Sequence, residues 1–480
     1  MNILSHFAPE DVFGYFEKIC SIPHGSGDME KISSFCLAFA KEHNLWATRD
    51  GANNVIIKKP ASKGYENAEP VILQGHLDMV CQKEATSSIR FEEDGIEILV
   101  DGEFVRAKGT TLGADDGIAV AMMLAILADN SLSHPPIEAV FTTDEEIGMI
   151  GAKAMDMSVL SGKRMINLDS GNPAVVTVSC AGGSDLTAFV PIKREQRQGT
   201  AVSLSVKGLR GGHSGTEIHK GRVNANLLMG RILHHLSKTN AFSVISVFGG
   251  DKGNAIPVSC TAKLLTSDPD GLSLAFENYA GIVREEIRAR EEGFAFDAEI
   301  LEAGEFAALD DAAFGKLLHS LILAPNGVME MSAEIENLVE TSLNLGILKT
   351  EDDKAVLSFA LRSNKKTAMA YLEERLAAFF TLMECPVETG GHYPPWEYNK
   401  DSVLRQLYIE KYKEKTGKTA EVQAIHAGLE CGVFADAIKD FDCISIGPLH
   451  FDIHTTRECL SIRSTKEMYE IVCRMLAALK

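Results

Sequence analysis

The chain lacks a pair of cysteines at C-x-x-C spacing, a G-x-x-x-x-G-K-[ST] run, a convincing dinucleotide fingerprint and any uninterrupted apolar stretch long enough to span a bilayer. The first absence argues against a zinc ribbon or a thioredoxin-like centre, the next two against a nucleotide-binding α/β protein, and the last against a transmembrane helix. It is also poor in positive charge: 47 Lys and Arg stand against 67 Asp and Glu, a formal net charge of -20. Nucleic acid and anionic membrane are therefore poor partners, whereas metal cations and small substrates fit, although most of these acids serve solubility alone. The ten cysteines are scattered and several sit in apolar runs, as buried free thiols do. A disulfide framework is not expected in a chain this long, so the reducing cytoplasm is the expected compartment. Residues 1–6 show neither a basic n-region nor an apolar h-region, in keeping with that expectation.

What is present is ample core material. At 480 residues, 45% of them hydrophobic, the chain exceeds one typical core, so two or more domains are expected. The pattern is organised around Val71-Ile72-Leu73-Gln74-Gly75-His76-Leu77-Asp78. It begins as a continuous apolar run, like a strand buried on both faces of a parallel sheet, and ends in His-x-Asp. Side chains two apart on a strand share a face, so His76 and Asp78 can address one pocket at the strand's carboxyl end, where open α/β sheets bind ligands.

The pattern then recurs. An amphipathic helix is expected over 9–22, a second one capped by Asp28 through about 43, a strand at 54–58, and a hairpin of 96–100 and 104–107 around Asp101-Gly102. The loop 109–117 carries Asp115 and Asp116 ahead of an apolar helix over 118–129. One aspartate suffices to cap a helix; a pair set among glycines is surplus to that need. A strand at 137–143 runs into Asp144-Glu145-Glu146, and one at 164–168 into Asp169, with spacings typical of βαβ units. After about 187 the strands alternate apolar and polar residues, as one-face-exposed antiparallel strands do. A strand–strand–helix order there occurs twice, at 242–291 and 340–383. The buried pattern returns from about 387, with a helix at 402–416, strands at 421–425 and 443–446, and a final helix from 464. The expected fold is therefore α/β. Residues 1–187 and 387–480 form a split domain with a mostly parallel mixed sheet flanked by helices, and 188–386 form an inserted α+β lid domain.

His76, Asp115, Glu145, Glu146, Asp169 and His454 all fall in loops after strands of the proposed sheet. Imidazole and carboxylate donors suit zinc, cobalt or manganese rather than calcium. Five ligands exceed one tetrahedral zinc and suit two ions sharing a carboxylate, which would clamp an attacking oxygen and a substrate oxygen. Glu145 is then left as a general base beside a ligand. A structural ion network is the alternative reading of the same carboxylates.

Six runs carry a resemblance: Gln-Gly-His-Leu-Asp-Met-Val at 74–80, Gly-Thr-Thr-Leu-Gly-Ala-Asp-Asp-Gly at 109–117, Thr-Thr-Asp-Glu-Glu-Ile-Gly-Met at 142–149, Asn-Leu-Asp-Ser at 167–170, Gly-Gly-His-Ser-Gly at 211–215 and His-Ala-Gly-Leu-Glu-Cys-Gly at 426–432. Together they resemble the aminoacyl-histidine dipeptidase (peptidase D, Xaa-His dipeptidase) family of the dizinc metallopeptidases, relatives of carnosinase and aminoacylase. The resemblance implies a dipeptidase that takes small peptides, with β-alanyl-histidine among its substrates and a homodimer as a candidate assembly. It implies two divalent ions per chain, zinc first, with cobalt or manganese as alternatives. His76 and Asp169 would hold one ion, Glu146 and His454 the other, and Asp115 would bridge them. Asp78 would orient His76. Glu145 would carry the proton from water to the leaving amine. His213 would steady the oxyanion, Arg362 would grip the substrate's C-terminal carboxylate, and Asn254 and Gly428 would be further substrate contacts. His213 would come from its own subunit or a neighbouring one. A flexible hairpin around His213 and a salt bridge at Arg362 are the plainer alternatives. The family usually continues Ser-Pro-Asp-Glu after its last ligand histidine; here Thr455-Thr456-Arg457-Glu458 follows His454, so Arg457 is expected to alter the pocket's charge. Deacylases and tripeptidases of the same superfamily, and a non-catalytic metal-binding relative, are the alternative functions.

Overall fold

The computed structural model describes residues 3–480, which divide into two units. Of these residues, the first comprises 3–180, Trp396–Ala424 and Leu429–Lys480; the second comprises Ala181–Pro395 and Ile425–Gly428. The boundaries differ from 187/188 and 386/387. Gly182–Pro191 pairs along its length with Lys354–Ser363, and Val387–Tyr393 pairs with it on the other side, so both strands belong to the second unit's sheet. The two glycines that open the first of these strands, and the Gly390-Gly391 pair in the other, hide their alternation.

In the first unit an eight-stranded sheet runs in the order Trp46–Arg49, Val55–Lys59, Ile137–Thr142, Val71–His76, Arg164–Asn167, Asp442–Ser445, Val175–Cys180, Glu421–Ile425. The four strands from Ile137–Thr142 to Asp442–Ser445 are mutually parallel; Trp46–Arg49, Val55–Lys59 and Val175–Cys180 join antiparallel. The sheet is thus mixed and parallel at its centre, as expected. Val71–His76 and Ile137–Thr142 are buried at every position, which explains their unbroken apolar runs. Register sets the site: His76 lies opposite Thr142, and Gln74 opposite Asn167, which lies opposite Ser445. The carboxyl ends of four strands therefore come level, and the loops that follow them carry the acidic clusters.

The helix Ala114–Ala128 packs beneath these strands and is buried from Ala114 through Leu127, so it is apolar all round rather than amphipathic. Asp115 (φ -85°, ψ 100°) and Asp116 (φ -117°, ψ 25°) are not helical, and the regular helix starts just after them. The helix Glu30–Glu42 has Met29 as N-cap and no side-chain cap, so Asp28 does not cap it; its carboxylate instead lies 3.5 Å from the Lys31 amine.

The second unit is α+β. A wholly antiparallel nine-stranded sheet includes the long pair Arg194–Lys207 and Ala295–Leu309, paired from Arg194↔Leu309 to Lys207↔Ala295 with a register shift between Thr200 and Val202. Those strands are longer than their apolar alternation suggests, because their far ends are exposed and polar. Helices Ala225–Leu236, Pro269–Ile287, Asp311–Leu323 and Lys366–Leu382 cover the sheet around a core that includes Leu204, Met229, Phe276, Leu321, Leu345, Phe359 and Phe380. The repeated strand–strand–helix order is present as two antiparallel hairpins, Ser243–Gly249 with Cys260–Thr266 and Val339–Thr350 with Lys354–Ser363, each followed by a helix. Among the described residues no helix is long and apolar enough to cross a membrane.

Candidate active site

His76 ends its strand 1% exposed. Its Nδ1 lies 3.0 Å from the backbone oxygen of Asp78 and 3.4 Å from the Asp78 carboxylate, so Nδ1 carries the proton and Nε2 is turned to the acids beyond. Nε2 is 3.3 Å from Asp115 Oδ1 and 3.9 Å from Asp169 Oδ1. The other oxygen of Asp115, Oδ2, is 3.3 Å from His454 Nε2, which lies 2.7 Å from Glu146 Oε1. One carboxylate therefore faces a histidine with each of its oxygens.

Among the described residues three groups of donors lie close enough to hold an ion: His76 with Asp116 and Asp169, His76 with Glu145 and Glu146, and Asp115 with Glu146 and His454. The donor set is nitrogen and oxygen only, which fits zinc, cobalt or manganese and leaves two overlapping positions rather than one. The structure brings together every ligand expected from the sequence, and it brings His454 rather than His450 to Glu146. The electrostatics point the same way. Burial first, then the neighbouring Asp116 charge, pushes the Asp169 carboxyl well up; burial and Asp115 do the same to Asp116. Burial followed by the charges of Glu146, Asp115 and Asp78 outweighs the pull of His76 and pushes Glu145 up to about 7. Acids crowded like this repel one another unless cations sit among them.

Asp78 does more than orient His76. Its Oδ1 accepts the Glu145 N–H (3.0 Å), and its Oδ2 accepts the Glu146 N–H (3.3 Å) and the Ser26 hydroxyl (2.7 Å). Burial alone would raise its pKa; the hydrogen bonds from His76, Ser26 and Glu145 outweigh that and bring it down to about 2. Two further polar side chains, Asp116 and Glu430, have no role that the sequence pattern assigns. Asp116 Oδ2 accepts the His76 N–H (3.1 Å), an approach that only glycine at 75 permits, since a Cβ there would lie 2.6 Å from that oxygen. Glu430, fully buried, accepts from Gln74 Nε2 and Thr142 Oγ1, each at 2.6 Å. Burial, then the Glu145 charge, pushes its carboxyl up to about 8. The donors lie on the adjacent parallel strands Val71–His76 and Ile137–Thr142 and the acceptors at the starts of the helices Ala114–Ala128 and Glu430–Ala437, so only the packing of helix against sheet shows these contacts. Arg457 turns outward, 73% exposed, with Nε 3.6 Å from Asp452, an exposed pair of little consequence.

The second unit holds a cluster of its own. Gly212 and His213 pair with Ile256 and Ala255, and the Asn254 carbonyl accepts the Ser214 N–H (2.9 Å), so the 211–215 loop and the Asn254 turn are one ribbon. Asn254 itself is exposed. His213 Nδ1 accepts N–H groups from Thr216 (3.1 Å) and Gly215 (3.3 Å), so Nε2 bears the proton. Burial, then Arg362, lowers the His213 pKa, leaving a neutral imidazole that donates through Nε2. Glu217 pins the loop by accepting the His213 N–H (2.9 Å) and pairing with Arg222 (2.9 Å). The loop is thus anchored, not a free hairpin.

Arg362 is 8% exposed. Its Nη1 donates to the Tyr393 hydroxyl (2.7 Å), its buried Nε has no partner, and among the described residues no carboxylate pairs with it. The salt-bridge alternative has no acid within ion-pair distance, although the Arg362 charge reaches Asp185 and pulls against the rise that desolvation gives its carboxyl. The Ser214 hydroxyl is likewise buried without a partner. His426, 5% exposed, lies between Ser342 Oγ (2.7 Å from Nε2) and Asn364 Oδ1 (3.1 Å from Nδ1), and burial with the nearby Arg362 charge lowers it to about 3. Gly428, two residues on, is half-buried in the segment Ile425–Gly428.

Imidazoles and carboxylates gathered at the carboxyl ends of a parallel sheet define a metal-dependent hydrolase of the α/β class. More narrowly, the chain belongs to peptidase family M20/M25/M40, whose model matches residues 72–478, and it is a metallopeptidase. Cytosol non-specific dipeptidase of Escherichia coli (strain K12) is 36% identical over 480 residues, 99% of each chain. The crystal structure of aminoacylhistidine dipeptidase from Vibrio alginolyticus superposes with a TM-score of 0.92 at 36% identity, covering 99% of this chain and 98% of that one. Aminopeptidase PepT from Bacillus cereus shares the fold (TM-score 0.57, 15% identity, 98% and 99% covered).

Proposed function

We propose that the protein is a cytoplasmic dizinc dipeptidase that hydrolyses unblocked dipeptides, Xaa-His substrates such as β-alanyl-histidine among them. The observation that carries this reading is the Asp115 carboxylate, set between His76 and His454 at 3.3 Å from each. That geometry suits a shared ligand, with His76 and Asp169 holding one ion and Glu146 and His454 the other. A bound metal pair supplies Lewis acidity, polarising the scissile carbonyl and acidifying a water. The protein's own groups do the rest. Asp78 fixes the His76 ring and the backbone of Glu145 and Glu146. The Glu145 carboxylate takes the water's proton and delivers it to the leaving amine nitrogen. His213 Nε2–H, a neutral donor, stabilises the negative charge that develops on the carbonyl oxygen. Arg362, held by Tyr393 and short of an anionic partner, receives the substrate's C-terminal carboxylate. Asn254 and Gly428 offer further contacts from the same unit.

The two relatives at 36% identity named above are dipeptidases by name, one non-specific and one aminoacylhistidine dipeptidase. A substrate panel separates these: free dipeptides with and without a C-terminal histidine, tripeptides, and N-acyl amino acids, assayed alongside metal analysis of the purified protein. Cleavage of free dipeptides with about two ions per chain is the expected result. Turnover confined to tripeptides or acylated amino acids would replace this reading with one of its superfamily alternatives. Light scattering of the purified protein tests the homodimer.

A further inference from the structure

Four residues past His454 the chain buries a carboxylate that the scheme above does not use. Glu458 is 3% exposed. Its Oε2 accepts the N–H groups of Leu112 (2.7 Å) and Gly113 (3.1 Å), and its Oε1 those of Ala114 (2.8 Å) and Asp115 (3.3 Å). Four consecutive backbone donors converge on one side chain, a nest of the kind that binds anions. Local conformation builds it. Gly113 sits at φ +71°, and a Cβ there would lie 2.7 Å from Met79 Sδ, while Asp115 and Asp116 depart from helical angles. Regular helical hydrogen bonding therefore does not claim these donors.

What Glu458 joins matters more than the cap itself. Cys459, the next residue, opens the strand Cys459–Ser461, which pairs with Phe104–Ala107, so Glu458 is fixed to a sheet on one side. On the other side its N–H donates to Thr455 O (3.1 Å), closing the turn that leaves His454. His454 has no regular element of its own: φ is +61° and its side chain is 44% exposed. Its place is set through that turn. The Glu458 carboxylate is bonded to the backbone segment that ends in Asp115, the residue whose Oδ2 faces His454 Nε2.

We propose that Glu458 is a positioning residue: it locks the His454 loop to the Asp115 loop and so sets the spacing of the Asp115, Glu146 and His454 donor group. This rests on the paired-metal reading above. Replacing the carboxylate by its amide keeps the shape but turns an NH2 group toward two of the four N–H donors, leaving buried donors unpaired.

The test compares the metal-loaded native protein with Glu458→Gln and Glu458→Asp. Zinc content is measured after dialysis against graded chelator, and cobalt-substituted protein is followed by its visible spectrum. In Glu458→Gln one of two ions should bind about 10–100-fold more weakly, as is usual when an outer-shell partner of a ligand is lost, and the cobalt band of that ion should change. The other ion should keep its native affinity. Glu458→Asp, which retains two acceptor oxygens, should recover part of the loss. If Glu458→Gln fails to fold by circular dichroism, the Asp variant decides: one ion weakened supports the role, both unchanged overturns it. A lower melting temperature of the metal-free Gln variant with both affinities and the spectrum unchanged marks a purely structural cap and overturns the proposal while the paired-metal reading stands. Uptake of fewer than two ions by the native protein would overturn that reading, and the positioning role with it.

Discussion

Glu145 and Glu146 are neighbours with different environments, and the roles proposed for them rest on that difference. Glu146 Oε1 is 2.7 Å from His454 Nε2, whereas Glu145 contributes to only one donor group and is pushed up to about 7 by burial and by the acids around it. Glu145→Gln keeps the shape and loses the proton acceptor; kcat should fall by about 10²–10⁴-fold, with metal content unchanged by elemental analysis. Glu146→Gln should lose metal as well, and near-native turnover in the first variant would refute the base. Asp115→Ala should strip both ions while circular dichroism stays native, because the residue sits ahead of the regular helix; a variant that keeps two tightly bound ions would refute the bridge. His426 gives the pH dependence. Its pKa is lowered to about 3 from an ordinary 6.5, chiefly by burial and by Arg362. The unfolded chain therefore binds more protons between those values, so this residue's contribution to stability is complete above about pH 6.5 and is lost as pH falls toward 3. Denaturant midpoints measured from pH 7 to pH 4 should drop less steeply in His426→Gln than in the native protein.

Among the elements, the parallel strands made the site legible, because a strand buried on both faces reads as an unbroken apolar run and the polar residue that ends it stands out. His76, Glu145, Glu146 and Asp169 were visible for that reason, and register then brought them level. Asp116 stood beside Asp115 in the sequence, but adjacency says nothing of which oxygen meets the His76 N–H. Glu430 and Glu458 reach partners roughly 300 or more residues away in sequence, which no local pattern encodes. Edge strands such as Val387–Tyr393 were missed where paired glycines and exposed residues break the alternation. Gly75 shows how tightly the central strand is fitted. A Cβ there would lie 2.6 Å from Asp116 Oδ2 and 3.0 Å from the Ala119 Cβ, so strand and helix cannot both stay in place. Gly75→Ala should cost about 1–3 kcal/mol in chemical denaturation and reduce metal uptake in the same protein. Native stability together with native metal content would mean that the helix can retreat from the strand at no cost.

At the scale of the whole molecule, the chain divides its chemistry between two units: metal donors and the candidate base lie in one, and a neutral histidine and an unpaired arginine in the other. The formal charge of -20 makes the buried Arg362 conspicuous. Its guanidinium, 8% exposed, donates to the neutral Tyr393 hydroxyl, has an Nε with no partner among the described residues, and feels the Asp185 charge from beyond ion-pair distance, so its desolvation is only partly offset until an anion arrives. On the proposed reading a free substrate carboxylate supplies that anion, and a paired, charge-assisted contact is stronger than a neutral one. Amidating the C-terminus of a good dipeptide should therefore cost much of kcat/KM, and so should Arg362→Ala. Because both changes remove the same contact, their losses should not add: Arg362→Ala should discriminate little between free and amidated peptide. Tyr393→Phe leaves the charge in place and frees its aim, so it should raise KM for the free dipeptide more than it lowers kcat, and should hardly alter cleavage of the amide. If the native enzyme cleaved free and amidated dipeptides equally well, Arg362 would have no carboxylate to receive, and the phenol that steadies it would serve packing alone.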